Sequence, residues 1–249
     1  MADLFYKLGK KVGKSWHRGR YLYQTLTGNS EKSLQAEYAL GVILARDLEK
    51  ETPVSDDPVG QILADSVIRQ LQKRVKNKNR YFRVKILATN DLNAFALPGG
   101  FIYITSALIQ SLAKDREALA FVFAHEMVHI ILKHPLKRIM TSYSLEALSR
   151  MFKTGSALGV IGKDMLKKLL HSHYSRENEL AADAFGLRLM YSAGFDVQGA
   201  FRLLQLFQAQ TSDNGFHYFS THPSLTVRSH QLNDICKELG LVQKKPEAI

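Results

Sequence analysis

The chain of 249 residues carries a formal net charge of +11, is 45% hydrophobic and 23% charged, and has one cysteine, Cys236. That is an ordinary globular balance, long enough for one sizeable core; the lone cysteine excludes an intrachain disulfide and allows a reducing compartment. No uninterrupted apolar run reaches about 18 residues, so no membrane span is expected. The basic charge favours anionic surfaces, but no nucleic-acid motif accompanies it, and nucleic acid is not an expected partner.

Residues 1–28 form a basic, aromatic, glycine-punctuated arm. Leu4, Leu8, Val12 and Trp16 recur every four residues, with Lys7, Lys10, Lys11 and Lys14 mostly off that stripe. A helix here would be amphipathic and could lie on an anionic membrane surface; the alternative is a short arm packed on the domain, since Gly9 and Gly13 weaken the helix. No apolar region of a secretory signal follows the charges, which leads to an expectation of cytoplasmic location with peripheral membrane contact. Residues 29–249 are then expected to form a single domain.

From Ser30 to Lys50 the apolar positions follow helix periodicity until Thr52-Pro53 stops it. A second helix starts at Asp57-Pro58, cap followed by proline, and is predicted to run to about Lys76. Tyr81–Thr89, Asn93–Leu97 and Phe101–Thr105 read as strands, the last two joined by Pro98-Gly99-Gly100. Ser106–Ala113 reads as a short helix, and Asp115 as the cap of the next one.

That next helix, Ala118 to His134, contains His125-Glu126-x-x-His129. On a helix of 3.6 residues per turn, positions four apart share a face, so His125 and His129 can aim both imidazoles at one ion. Glu126 lies one position round, where it can reach a water on a metal without being a ligand. The flanking residues are apolar nearly all round, which predicts burial, and buried histidines and a glutamate need partners that a metal would supply. The third ligand does not lie on the same segment, because positions 132 and 135 are leucine and proline. Ser175–Met190 is a second candidate helix. Its Glu179 and Asp183, four apart, share a face, so one carboxylate can bind the metal while the other accepts the N–H of a ligating histidine. His134 reads as the C-terminal residue of the metal helix, beyond ligand reach. Leu136–Phe152 continues helical, residues 153–162 read as a glycine-rich linker, and His171 and His173 read as loop or solvent-facing. Asp196–Gln210 is a further helix.

Four motifs in order, NAFALPGG at Asn93–Gly100, His125-Glu126-x-x-His129, Glu179-x-x-Ala182-Asp183 and Thr221-His222-Pro223, resemble those of the M48 family of zinc metallopeptidases. The resemblance implies an α+β, mainly helical, zincin-like domain with a small antiparallel or mixed sheet beside the H-E-x-x-H helix. It implies one zinc ion on His125, His129 and Glu179, Glu126 as catalytic base, and Asp183 orienting a ligating histidine. Asn93, Ala94, Phe95, Ala96, Pro98 and Gly99 become the substrate-binding edge, which would take an extended protein or peptide by strand addition. His222, in the polar, aromatic loop 211–223 with His217 and Tyr218, becomes a candidate fourth, inhibitory ligand. Arg228 becomes a candidate for binding the oxyanion or a substrate carboxylate. The expected activity is hydrolysis of internal peptide bonds. The alternative is a zinc-stabilised binding or chaperone-like protein at membrane surfaces.

Overall fold

The computed structural model describes residues 28, 30–144, 165–166, 174–210 and 225–241. The arm up to residue 27, the linker at 153–162, His171, His173 and the loop bearing His217, Tyr218 and His222 lie outside them.

Helix α1 (Glu31–Glu51) starts where the Ser30 hydroxyl accepts from Ser33 N, and α2 (Pro58–Gln72) where the Asp57 carboxylate accepts from Gly60 N. These side chains satisfy amides that a helix start leaves without partners. Helix α2 ends four residues before its predicted limit, because Arg74 N and Val75 N bond back three residues to Leu71 O and Gln72 O and tighten the last turn.

Strands β1 (Arg83–Leu87), β2 (Ala94–Leu97) and β3 (Phe101–Thr105) form a mixed sheet in the order β1-β3-β2, with β1 parallel and β2 antiparallel to β3. The two-residue alternation of a strand divides their side chains between two layers. Val84, Ile86, Ala94, Ala96, Ile102 and Ile104 enter the main core. Leu87, Leu97 and Tyr103 face the other way, into a second core with Leu40, Leu44 and Leu48 of α1. The outer side of β1 is covered by the segment before α2: Val54 bridges Leu87, and Ser55 N donates to Ile86 O. Among the described residues no strand pairs with the outer side of β2.

After the short α3 (Ser106–Ser111), α4 (Arg116–Ile131) runs through the main core, started by the Asp115 carboxylate on Ala118 N. Every residue from Ala118 to Ile130 is buried, as its all-round apolar sequence requires. Helices α6 (Arg176–Ser192), α7 (Gln198–Gln210) and α8 (Leu225–Glu238) complete the described fold, with α6 and α7 packed on α4. The α4–α6 contact is close because Gly186 has no side chain: a Cβ there would lie 3.2 Å from His125 N and 3.3 Å from His125 Cα. The architecture is the expected α+β one.

Between α4 and α5 (His134–Ser142) the chain turns at Lys133, which takes the left-handed conformation with φ 60°. Lys133 is held by a buried ionic cluster. Its Nζ lies 3.7 Å from Glu37 Oε2, and Arg80 donates to both Glu37 oxygens at 3.0 and 3.1 Å. Glu37 also accepts from Gly99 N, so one carboxylate ties α1 to the segment before β1, the turn between β2 and β3, and the turn after α4. Glu37→Gln removes the charge that offsets two buried cations and is expected to cost about 3 kcal/mol of stability, read by urea unfolding; an unchanged midpoint would show the cations to be satisfied without it.

Candidate metal centre

Helices α4 and α6 bring His125, His129 and Glu179 together, with all three side chains buried. His125 Nε2 lies 3.0 Å from His129 Nε2, 3.5 Å from Glu179 Oε2, and His129 Nε2 lies 3.5 Å from Glu179 Oε1. Tetrahedral zinc with bonds of ~2.0–2.1 Å separates neighbouring ligand atoms by about 3.3 Å, so this triangle matches in size as well as in donor type. Glu126 supplies a second observation. It is buried, and its Oε1 has no hydrogen-bond partner among the described residues. A buried carboxylate oxygen without a partner is costly unless a ligand or water completes it.

Behind His125 stands a buried chain of charges. Its Nδ1 lies 2.9 Å from Asp183 Oδ1, and Arg228 donates to the same carboxylate through Nε at 2.7 Å and Nη2 at 2.8 Å. Burial alone would lower the His125 pKa, but Asp183 and Glu179 carry it up to about 9. Burial alone would raise Asp183, but Arg228 and His125 hold it below the usual carboxylate range. Burial pushes Glu126 up to about 8, against the opposing pull of His125.

Arg228 therefore differs from its sequence expectation. Its side chain is fully buried and bidentate on Asp183, so it acts on the site through the Asp183–His125 pair. The sequence also misplaced His134. It is the first residue of α5, and the Lys133 turn swings it back so that its Nδ1 lies 2.9 Å from His129 Nδ1. Burial and the nearby Lys137 cation push its pKa down to about 4. Tyr174 was not singled out by sequence. Its ring stacks on His129 with centroids 4.2 Å apart, and the Arg138 guanidinium lies 3.6 Å from the Tyr174 ring centroid. An aromatic just before a helix cap carries no spacing signal that would have found it.

The expected substrate edge, from Asn93 to Gly99, contains β2. Thr105 N donates to Asn93 O at 3.0 Å. By the alternation of an antiparallel pair, Phe95 and Leu97 turn their backbone groups toward β3, and Ala94 and Ala96 turn theirs to the outer side, where no described strand pairs with them. The side-chain Oδ1 of Asn93 is buried with no partner among the described residues.

Residues 61–236 match the model of peptidase family M48. The chain is 28% identical over 165 residues to the mitochondrial metalloendopeptidase OMA1 of Bos taurus, covering 60% of this chain and 31% of that protein. It is 28% identical over 156 residues to the metalloprotease YcaL of Escherichia coli, covering 60% of each. It is 25% identical over 210 residues to the beta-barrel assembly-enhancing protease of E. coli, covering 79% of this chain and 43% of that protein. The matches thus span less than two thirds of each of these relatives. Since the family model covers well over half of the chain, including both helices that meet at the three converging donors, the chain belongs to peptidase family M48, whose members are zinc-dependent metallopeptidases.

Proposed function

We propose that this chain is a zinc-dependent endopeptidase that cleaves internal bonds of extended or unfolded protein segments. The observation that carries the reading is the convergence of two imidazoles and a carboxylate beside a buried Glu126 oxygen that has no partner among the described residues. His125, His129 and Glu179 would hold the ion. Zinc bound there supplies polarisation of a peptide carbonyl and lowers the pKa of a water from ~15.7 toward roughly 7.

The protein's own groups do the rest. Glu126 takes one proton from the attacking water as its oxygen bonds to the carbonyl carbon, and passes that proton to the departing amine as the C–N bond breaks. Arg228 and Asp183 keep the His125 Nδ1 proton in place, so that Nε2 presents its lone pair to the ion. The outer side of β2, which no described strand pairs, would offer the backbone groups of Ala94 and Ala96 to an extended chain, with Asn93 beside them. Phe95, Pro98 and Gly99 complete this edge.

His222 in the 211–223 loop is the candidate inhibitory ligand, a role supported by its Thr221-His222-Pro223 context. Residues 29–249 form the catalytic domain in this reading, and the basic arm 1–28 offers contact with anionic membrane surfaces. A role in protein quality control is part of this reading; one relative is named a beta-barrel assembly-enhancing protease.

Metal content and casein cleavage test the proposal together. One zinc per chain, cleavage lost on chelation and restored by zinc, and faster cleavage in His222→Ala are the expected results. Zinc without cleavage in any variant would favour a scaffold role, and protein that takes up no zinc would sink the reading.

A further inference from the structure

We propose that His134 is a positioning residue for the metal centre: its Nδ1 accepts the Nδ1–H of His129 and so fixes the tautomer in which His129 Nε2 offers a lone pair to the ion. The inference rests on the zinc reading above and adds a residue to it. The two Nδ1 atoms are 2.9 Å apart, so one carries the hydrogen and the other receives it. Were His134 the donor, the neutral His129 ring would carry its proton on Nε2, the atom that lies 3.0 Å from His125 Nε2 and 3.5 Å from Glu179 Oε1. That tautomer would point a hydrogen into the ligand cluster and leave no lone pair for a metal. Only His134 as acceptor, with its own hydrogen on Nε2, is compatible with three converging ligands.

The surroundings leave His129 little freedom to choose otherwise. His134 is 4% exposed and meets the His129 ring edge-on, with centroids 5.0 Å apart and planes at 72°. Tyr174 stacks on the His129 ring with planes at 24° and is itself capped by Arg138. The Lys133 turn, anchored on Glu37, sets the position of His134. The two histidine ligands are therefore supported differently. His125 leans on a carboxylate whose charge Arg228 offsets, whereas His129 leans on an imidazole. A neutral acceptor orients His129 without adding negative charge that would weaken the ion as an electrophile.

Zinc affinity by chelator competition, with the spectrum of the cobalt-loaded protein as a second readout, tests this in His134→Phe and His134→Asn. Phenylalanine keeps a ring and removes the acceptor; asparagine places Oδ1 near the position of Nδ1. The expected result is affinity about 10- to 100-fold lower for the phenylalanine variant and largely recovered for asparagine, with both variants still folded in the metal-free state. Wild-type affinity in His134→Phe, or equal loss in both variants, overturns the acceptor role while leaving the zinc reading intact. A wild-type protein that binds no zinc overturns both.

Discussion

Glu126→Gln is expected to lower turnover by about 100- to 10,000-fold while leaving zinc bound, the range by which a positioned general base accelerates proton transfer. The amide fills the same space but cannot take up the water's proton, and the three ligand side chains are untouched. The substitution has a second, opposite consequence for the metal-free protein. Burial raises the folded-state pKa of Glu126 from 4.5 to about 8. Above pH 4.5 the unfolded chain releases this proton and the folded one resists, so the metal-free protein loses stability as pH rises from about 4.5 to about 8. Glu126→Gln abolishes that part of the slope and should unfold at higher temperature than wild type near pH 8 when both are stripped of metal. Loss of function with gain of stability marks a residue placed for chemistry against the interest of the fold. If the variant instead loses its zinc, Glu126 serves the site's structure and the base must be sought elsewhere.

The features legible in the sequence were those with a local period. His125, Glu126 and His129 sit on one helix, and Glu179 and Asp183 on another, so a spacing of four places His125 with His129, and Glu179 with Asp183, on a common face. The caps Ser30, Asp57 and Asp115 marked helix starts because the capping bond closes within three residues. Strand order was not legible. That β1 runs parallel to β3, with β2 left at the open edge, depends on the 53–55 segment covering the far side, a contact between residues more than 30 positions apart. The structural placements of His134 and Arg228 were not legible for a related reason. One left-handed residue, Lys133, converts the end of the metal helix into the start of another, and a non-glycine residue with positive φ gives no sequence warning. Arg228 had a suggestive position after the Thr-His-Pro motif, but nothing local says that a guanidinium 45 residues away will close on Asp183.

Arg228→Leu separates the two roles that residue could play. In the structure it neutralises Asp183 inside the protein, so its removal leaves a buried carboxylate facing His125 without its bidentate cation. Breaking such a pair costs about 3–5 kcal/mol, and loss of the fixed Asp183 carboxylate behind His125 should weaken zinc binding about 10- to 100-fold. The pH dependence carries a sign. Because the folded-state pKa of Asp183 is depressed, its stabilising contribution is present above the unfolded value of 3.8 and is lost as pH falls through the lower folded value. Without Arg228 that folded value rises, and the acid unfolding transition of Arg228→Leu should move to higher pH than in wild type. Replacing both partners, Asp183→Leu with Arg228→Leu, removes the stranded charge and should recover much of the stability, but not the zinc affinity, since His125 then has no carboxylate to hold its tautomer. A substrate-binding arginine would behave otherwise: KM would rise with stability, acid transition and zinc affinity all as in wild type. That pattern would return Arg228 to the substrate and leave Asp183 to be held by His125 alone.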